Sequence, residues 1–85
     1  MIPKEVSPFF WDVNLETFDP LSHPQYTLGR LLEFGDEKAV AWMRETFSEV
    51  QIRNALRTER RLSRRSANFW ALVYGIPPSE VAALT

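Results

Sequence analysis

No cysteine occurs among the 85 residues, so disulfides, thiolate metal sites and cysteine nucleophiles are all excluded. Histidine is nearly as scarce. The single one, His23, stands beside Pro24 at a predicted helix start. General acid–base chemistry needs several convergent polar groups, and a lone imidazole in that place reads as a cap or surface residue. Glycine occurs three times, and no glycine-rich phosphate loop can be drawn from it. No segment approaches the roughly 20 apolar residues of a membrane span. The start, Met1-Ile2-Pro3-Lys4-Glu5, lacks the long apolar run of a signal peptide. No stretch alternates at period two, so no sheet is expected. Together these absences predict a cytoplasmic chain that is not an enzyme, carries no cofactor or metal and does not enter a membrane.

Core material is plentiful by contrast. Hydrophobic residues make up 45% and aromatics 13%, which is far from a disordered composition. A chain this short buries only roughly 60–65% of its unfolded surface, so a single domain is expected. Residues 1–22 are punctuated by Pro3, Pro8 and Pro20 and carry Phe9-Phe10-Trp11. They read as an extended aromatic arm packed on a helical body over residues 23–85, with one helical turn near Glu16 to Phe18.

Four main helices are predicted in that body. The first has Ser22 or His23 as cap, Pro24 in its first turn, Leu28, Leu31 and Leu32 as its buried stripe, and Gly35 as its stop. Gly29 inside it costs up to about 1 kcal/mol against alanine, which suggests a close backbone contact there. The second starts at Asp36 and has Val40, Met43 and Phe47 on its apolar face, widened by Ala39 and Trp42. The third starts at Ser48, with Gln51 three residues on in a capping-box pattern, and buries Ile52, Ala55 and Leu56. The fourth is capped by Ser63, ends at Gly75, and carries a broad apolar arc of Phe69, Trp70, Val73 and Tyr74. After Pro77-Pro78, Ser79 caps a short last helix over Val81 to Leu84. The expected fold is all-α: a compact bundle of four main helices, a short C-terminal helix and an aromatic arm.

Charge is distributed unevenly. Arg53, Arg57, Arg60, Arg61, Arg64 and Arg65 are six of the ten basic residues, and only Glu59 lies among them. A formal net charge of −1 therefore hides a strongly dipolar chain. Arg53, Arg57 and Arg61 follow an i+4 stripe if the third helix runs that far. Arg64 and Arg65 open the fourth, and a helical wheel places Arg64, Asn68, Ala71 and Leu72 on the side away from Phe69 and Val73. The candidate contact surface is thus Arg53, Arg57, Arg61, Arg64 and Arg65, with Asn68. A helix, a short turn and a helix opened by arginines has the outline of a helix-turn-helix. A solvated face, a protein contact and a nucleic-acid contact all remain open at this point. Asp12-Val13-Asn14-Leu15-Glu16 is like the opening of a calcium loop, but Thr17 stands where glycine is needed and His23 where glutamate is needed. It reads as an acidic turn. Helical spacing places Trp42, Phe47, Phe69 and Trp70 in the core, whereas Phe9, Phe10 and Trp11 either seal the body or anchor a partner.

The chain also resembles a family of small uncharacterised bacterial and archaeal helical proteins. The resemblance rests on Phe10-Trp11-Asp12-Val13, on Phe18-Asp19-Pro20, and on Arg30-Leu31-Leu32-Glu33-Phe34-Gly35-Asp36. It continues through Trp42 and closes on Arg61-Leu62-Ser63-Arg64-Arg65-Ser66-Ala67-Asn68-Phe69-Trp70-Ala71 and Gly75. It covers roughly residues 9–76, with Gly29 standing where larger residues are usual. Such proteins have no established activity and are often encoded beside a nucleotidyltransferase-like toxin of the abortive-infection type. The resemblance implies an antitoxin or accessory protein whose partner is such a toxin, and it assigns no site residues.

Overall fold

Each of the four predicted main-helix starts has a physical counterpart in the computed structural model, which describes residues 2–85. Helix α1 (Pro24–Phe34) opens on Pro24 with His23 at the cap position. His23 contributes its backbone carbonyl, 3.0 Å from the Thr27 N–H, and no side-chain cap bond. Helix α2 (Glu37–Thr46) is capped by Asp36, which accepts from the Ala39 N–H at 2.9 Å. Helix α3 (Glu49–Thr58) has the complete capping box: Ser48 Oγ accepts from the Gln51 N–H and Gln51 Oε1 accepts from the Ser48 N–H. Helix α4 (Arg64–Tyr74) is capped by Ser63, which accepts from the Ser66 N–H at 3.1 Å. It ends at Gly75, whose φ of 63° is the left-handed conformation that glycine adopts without penalty. The described residues contain no strand.

The arm joins the same core as the helices. Ile2, Val6 and Phe10 are buried with Leu28, Leu31, Leu56 and Val81. The Phe10 ring lies 5.4 Å from Phe18 and 6.0 Å from Tyr26. Trp11, in contrast, is 64% exposed and packs edge-on against Phe34. Arg30 fastens the arm from α1. It donates to the Phe9 carbonyl, pairs with Asp12, and lies over the rings of Trp11 and Tyr26 at 4.3 and 4.9 Å. The turn expected near Glu16 to Phe18 is present, with the Thr17 and Phe18 N–H groups on the Asn14 carbonyl.

Two expectations need correction. The segment after Pro77-Pro78 is two separate 3-10 turns, Pro78–Glu80 and Ala82–Leu84, not one helix capped by Ser79. Val81 between them is extended and fully buried, and a side chain driven into the core there breaks the helical path. Helix α4 is also rotated from the predicted arc. Ala67, Trp70 and Ala71 face the body, while Phe69 and Val73 face outward. The two alanines, at i and i+4, let α4 approach the body closely. The Trp70 indole then reaches the Leu32 carbonyl at 2.8 Å, satisfying one of the orphan acceptors at the end of α1.

Phe10→Ala removes a ring that is 1% exposed and should cost about 3–5 kcal/mol, a large share of the about 5–15 kcal/mol holding such domains. Trp11→Ala should cost about 1 kcal/mol, the scale of an exposed cation–π contact. Urea denaturation of the two variants checks this; equal midpoints would contradict the packing described.

Candidate interaction surface at the α3–α4 corner

The corner is built on a buried carboxylate. Helix α3 stops at Thr58 because Glu59 turns extended and its side chain, 6% exposed, enters the notch left by Gly29 on α1. A Cβ on residue 29 would stand 3.3 Å from Glu59 Oε2, tighter than most real contacts. The close contact that the sequence suggested at Gly29 is therefore with a carboxylate, not a backbone. Glu59 accepts from the Arg61 N–H at 3.1 Å, from Arg61 Nε at 3.0 Å and from the Arg61 guanidinium at 3.2 Å. Those hydrogen bonds hold the Glu59 carboxyl below its ordinary pKa and raise that of Arg61. A second tie follows. Glu33 on α1 accepts from the Ser63 N–H at 2.8 Å, fixing the residue that caps α4.

The arginines divide into two groups. Arg53 pairs with Glu49 at 2.9 Å and lies 5.7 Å from the Tyr74 ring. Arg57 pairs with Glu80 at 3.3 Å. Arg61 pairs with Glu59. Since α3 ends at Thr58, Arg61 lies in the turn and the i+4 stripe stops at Arg57. Arg60, Arg64 and Arg65 are exposed and make no ion pair among the described residues. Asn68 is exposed on α4 beyond them.

The same outer side of α4 carries Phe69 at 56% exposure, Leu72 at 84% and Val73 at 44%. At 100° per residue these fall on one face with Arg65 and Asn68, and Arg64 borders it. Of the predicted outward residues Arg64, Asn68 and Leu72 are exposed, whereas Ala71 is buried. Arg60, Phe69 and Val73 are additions that the sequence reading did not place there. The signal for Phe69 and Val73 was the small pair Ala67 and Ala71, which marks the side of closest approach.

Elsewhere the polar groups of the other candidate sites are engaged. A cleft of about 230 Å3 between α1 and the corner is lined by Tyr26, Phe34 and Leu62, but its Arg30, Glu59 and Glu33 already hold partners. Asp12 is occupied by Tyr26 and Arg30, and Asn14 Oδ1 by the Glu16 N–H, so the calcium-like opening is a set of internal hydrogen bonds. Among the described residues no group of three or more histidine or acidic side chains is arranged to hold a metal. His23 stacks on Phe18 at 5.7 Å. No described helix is long and apolar enough to cross a membrane.

Residues 6–56, more than half of the chain, match a family of unknown function (DUF6922). The chain belongs to that family. The DUF6922 segment runs from the arm through α1 and α2 into α3, so the corner and α4 lie beyond it. No curated protein and no solved structure matches the chain.

Glu59 has a lowered pKa in the folded chain, so its contribution to stability is present above its ordinary value of 4.5 and is lost as pH falls through the depressed value. Glu59→Gln should lose about 1–2 kcal/mol at neutral pH, the guanidinium side of the pair being solvent-screened. Stability of the variant should also fall less steeply below pH 4.5, with Asp12 and Asp19 supplying the remaining acid dependence. Denaturation midpoints against pH for the two proteins check this. Parallel acid limbs would show that Glu59 is not the linked group.

Proposed function

We propose that this chain is a non-catalytic protein-interaction module that contacts an acidic partner through the α3–α4 corner and the outer face of α4. One observation carries the reading. Arg64 and Arg65 occupy the first turn of α4 with no acidic residue in that turn. Cations at a helix N-terminus oppose the helix dipole and cost some tenths of a kcal/mol each. Charges kept against the local rule mark a site with another role. Arginine suits that role because its planar fork takes a carboxylate through two parallel hydrogen bonds. Phe69 and Leu72 on the same face supply apolar area of the kind that anchors protein interfaces. The resemblance described above supports a finer version: an antitoxin or accessory protein, cytoplasmic and prokaryotic, whose partner is a nucleotidyltransferase-like toxin encoded beside it.

A second reading is a small DNA-binding regulator. It is favoured by the unpaired cations Arg60, Arg64 and Arg65 gathered around the start of one helix of a helix–turn–helix outline. The apolar trio on the same face speaks for protein, since DNA interfaces are far more polar and positive. An enzymatic role is the least favoured reading, since His23 is the single imidazole of the chain.

Arg64→Glu combined with Arg65→Glu should leave helix content intact, both sites being exposed. Co-expressed with the product of the adjacent gene, the double variant should associate more slowly and about tenfold or more weakly, with a reduced salt dependence. Full affinity and an unchanged salt response would identify the arginines as a solvated face. Salt-dependent binding to duplex DNA lost in the same variant would favour the regulator instead.

A further inference from the structure

Two features of the outer face of α4, its apolar stripe and the placement of its arginines, also fit a second helix laid against it. Phe69, Leu72 and Val73 stand at i, i+3 and i+4, the spacing by which one helix packs on another. The charges of α4 are also at the wrong ends for its own dipole. It has two arginines and no acid in its first turn and no base in its last, whereas α2 runs from Glu37 to Arg44 and α3 from Glu49 to Arg57 in the favourable sense.

We propose that a second copy of this chain covers this face, with α4 packed antiparallel on α4 about a two-fold axis near Phe69 and Leu72. In that pairing Phe69 faces the partner subunit's Leu72, and Arg65 falls beside the end of the partner subunit's helix. The arginines of each copy then supply the C-terminal cation that the other lacks. That end is open to receive them: Gly75 is exposed, and nothing stands within 4 Å of where its side chain would be. A parallel pair would instead bring four arginines together, which is unfavourable. The arrangement is self-complementary, so it closes as a dimer and does not propagate into a fibre. This inference goes beyond the acidic-partner reading. It concerns the chain alone, and because both contacts use Arg64 and Arg65, each excludes the other.

Sedimentation equilibrium of the full chain from micromolar to millimolar concentration tests it. The mass should rise from that of one 9.9 kDa chain to that of two. Leu72→Asp, at a side chain 84% exposed in the single chain, should keep the helix content and weaken pairing about tenfold or more. Orientation is read separately. The chain has no cysteine, so Leu72→Cys introduces a lone thiol that should cross-link to its counterpart near the axis under mild oxidation. Arg65→Cys should not, since antiparallel packing holds its two copies about 16 Å apart along the helices at 1.5 Å per residue. A single-chain mass at every concentration, a dimer indifferent to Leu72→Asp, or cross-linking of Arg65→Cys as readily as Leu72→Cys would each overturn the proposal.

Discussion

The carboxylate of Glu59, buried in the gap that Gly29 leaves in α1, is the constraint on which the corner depends. A charged side chain is costly to bury without partners. Three N–H groups from Arg61 supply them here, and they do so only while the chain folds back on itself after Thr58. The requirement ends α3, sets the turn and points α4 across the body. Glu33 adds a second tie by holding the backbone of Ser63, which is itself the cap of α4. The gap at Gly29 and the Glu33 tie both belong to α1, as does the Leu32 carbonyl that receives the Trp70 indole.

Helix α1 therefore organises both ends of the molecule. On one side Gly29, Leu32 and Glu33 fix the corner and α4. On the other, Arg30 fixes the arm through Phe9, Asp12 and two aromatic rings. With α1 holding the arm and the corner in place, the core closes around Leu28, Leu31 and Leu56. Four acids, Asp12, Glu49, Glu59 and Glu80, each hold an arginine of the chain, and three of the cations that make no ion pair among the described residues, Arg60, Arg64 and Arg65, gather where α4 begins.

Much of the fold was legible in the sequence because its helix boundaries are written in local chemistry. Asp36, the Ser48–Gln51 pair, Ser63 and Gly75 each act on backbone groups a few residues away, so their meaning does not depend on the rest of the fold. The rotation of α4 was not legible. Phe69, Trp70, Val73 and Tyr74 outweigh Ala67 and Ala71 in hydropathy, yet close approach to the body favours the smaller pair. Burial of Glu59 was equally hidden, since no local pattern distinguishes it from a solvated turn residue; only the unexpected Gly29 hinted at a visitor. At the candidate surface the arginine cluster was visible, but its division into paired and unpaired cations depends on Glu80 and on Glu59, whose positions are set by tertiary structure.

The contact surface proposed for this molecule joins Arg60, Arg64 and Arg65, which make no ion pair among the described residues, to exposed Phe69, Leu72 and Val73. The cations suit carboxylates and the apolar stripe suits another helix, and both sit on or beside a helix that α1 holds through Glu33 and the Leu32 carbonyl. The most direct measurement is a backbone amide NMR titration of the labelled chain with the proposed partner, the product of an adjacent toxin-like gene. The account predicts shifts or broadening concentrated between Arg60 and Val73, with the arm and α2 quiet. Perturbation confined to the arm or α2, or none anywhere, would contradict it.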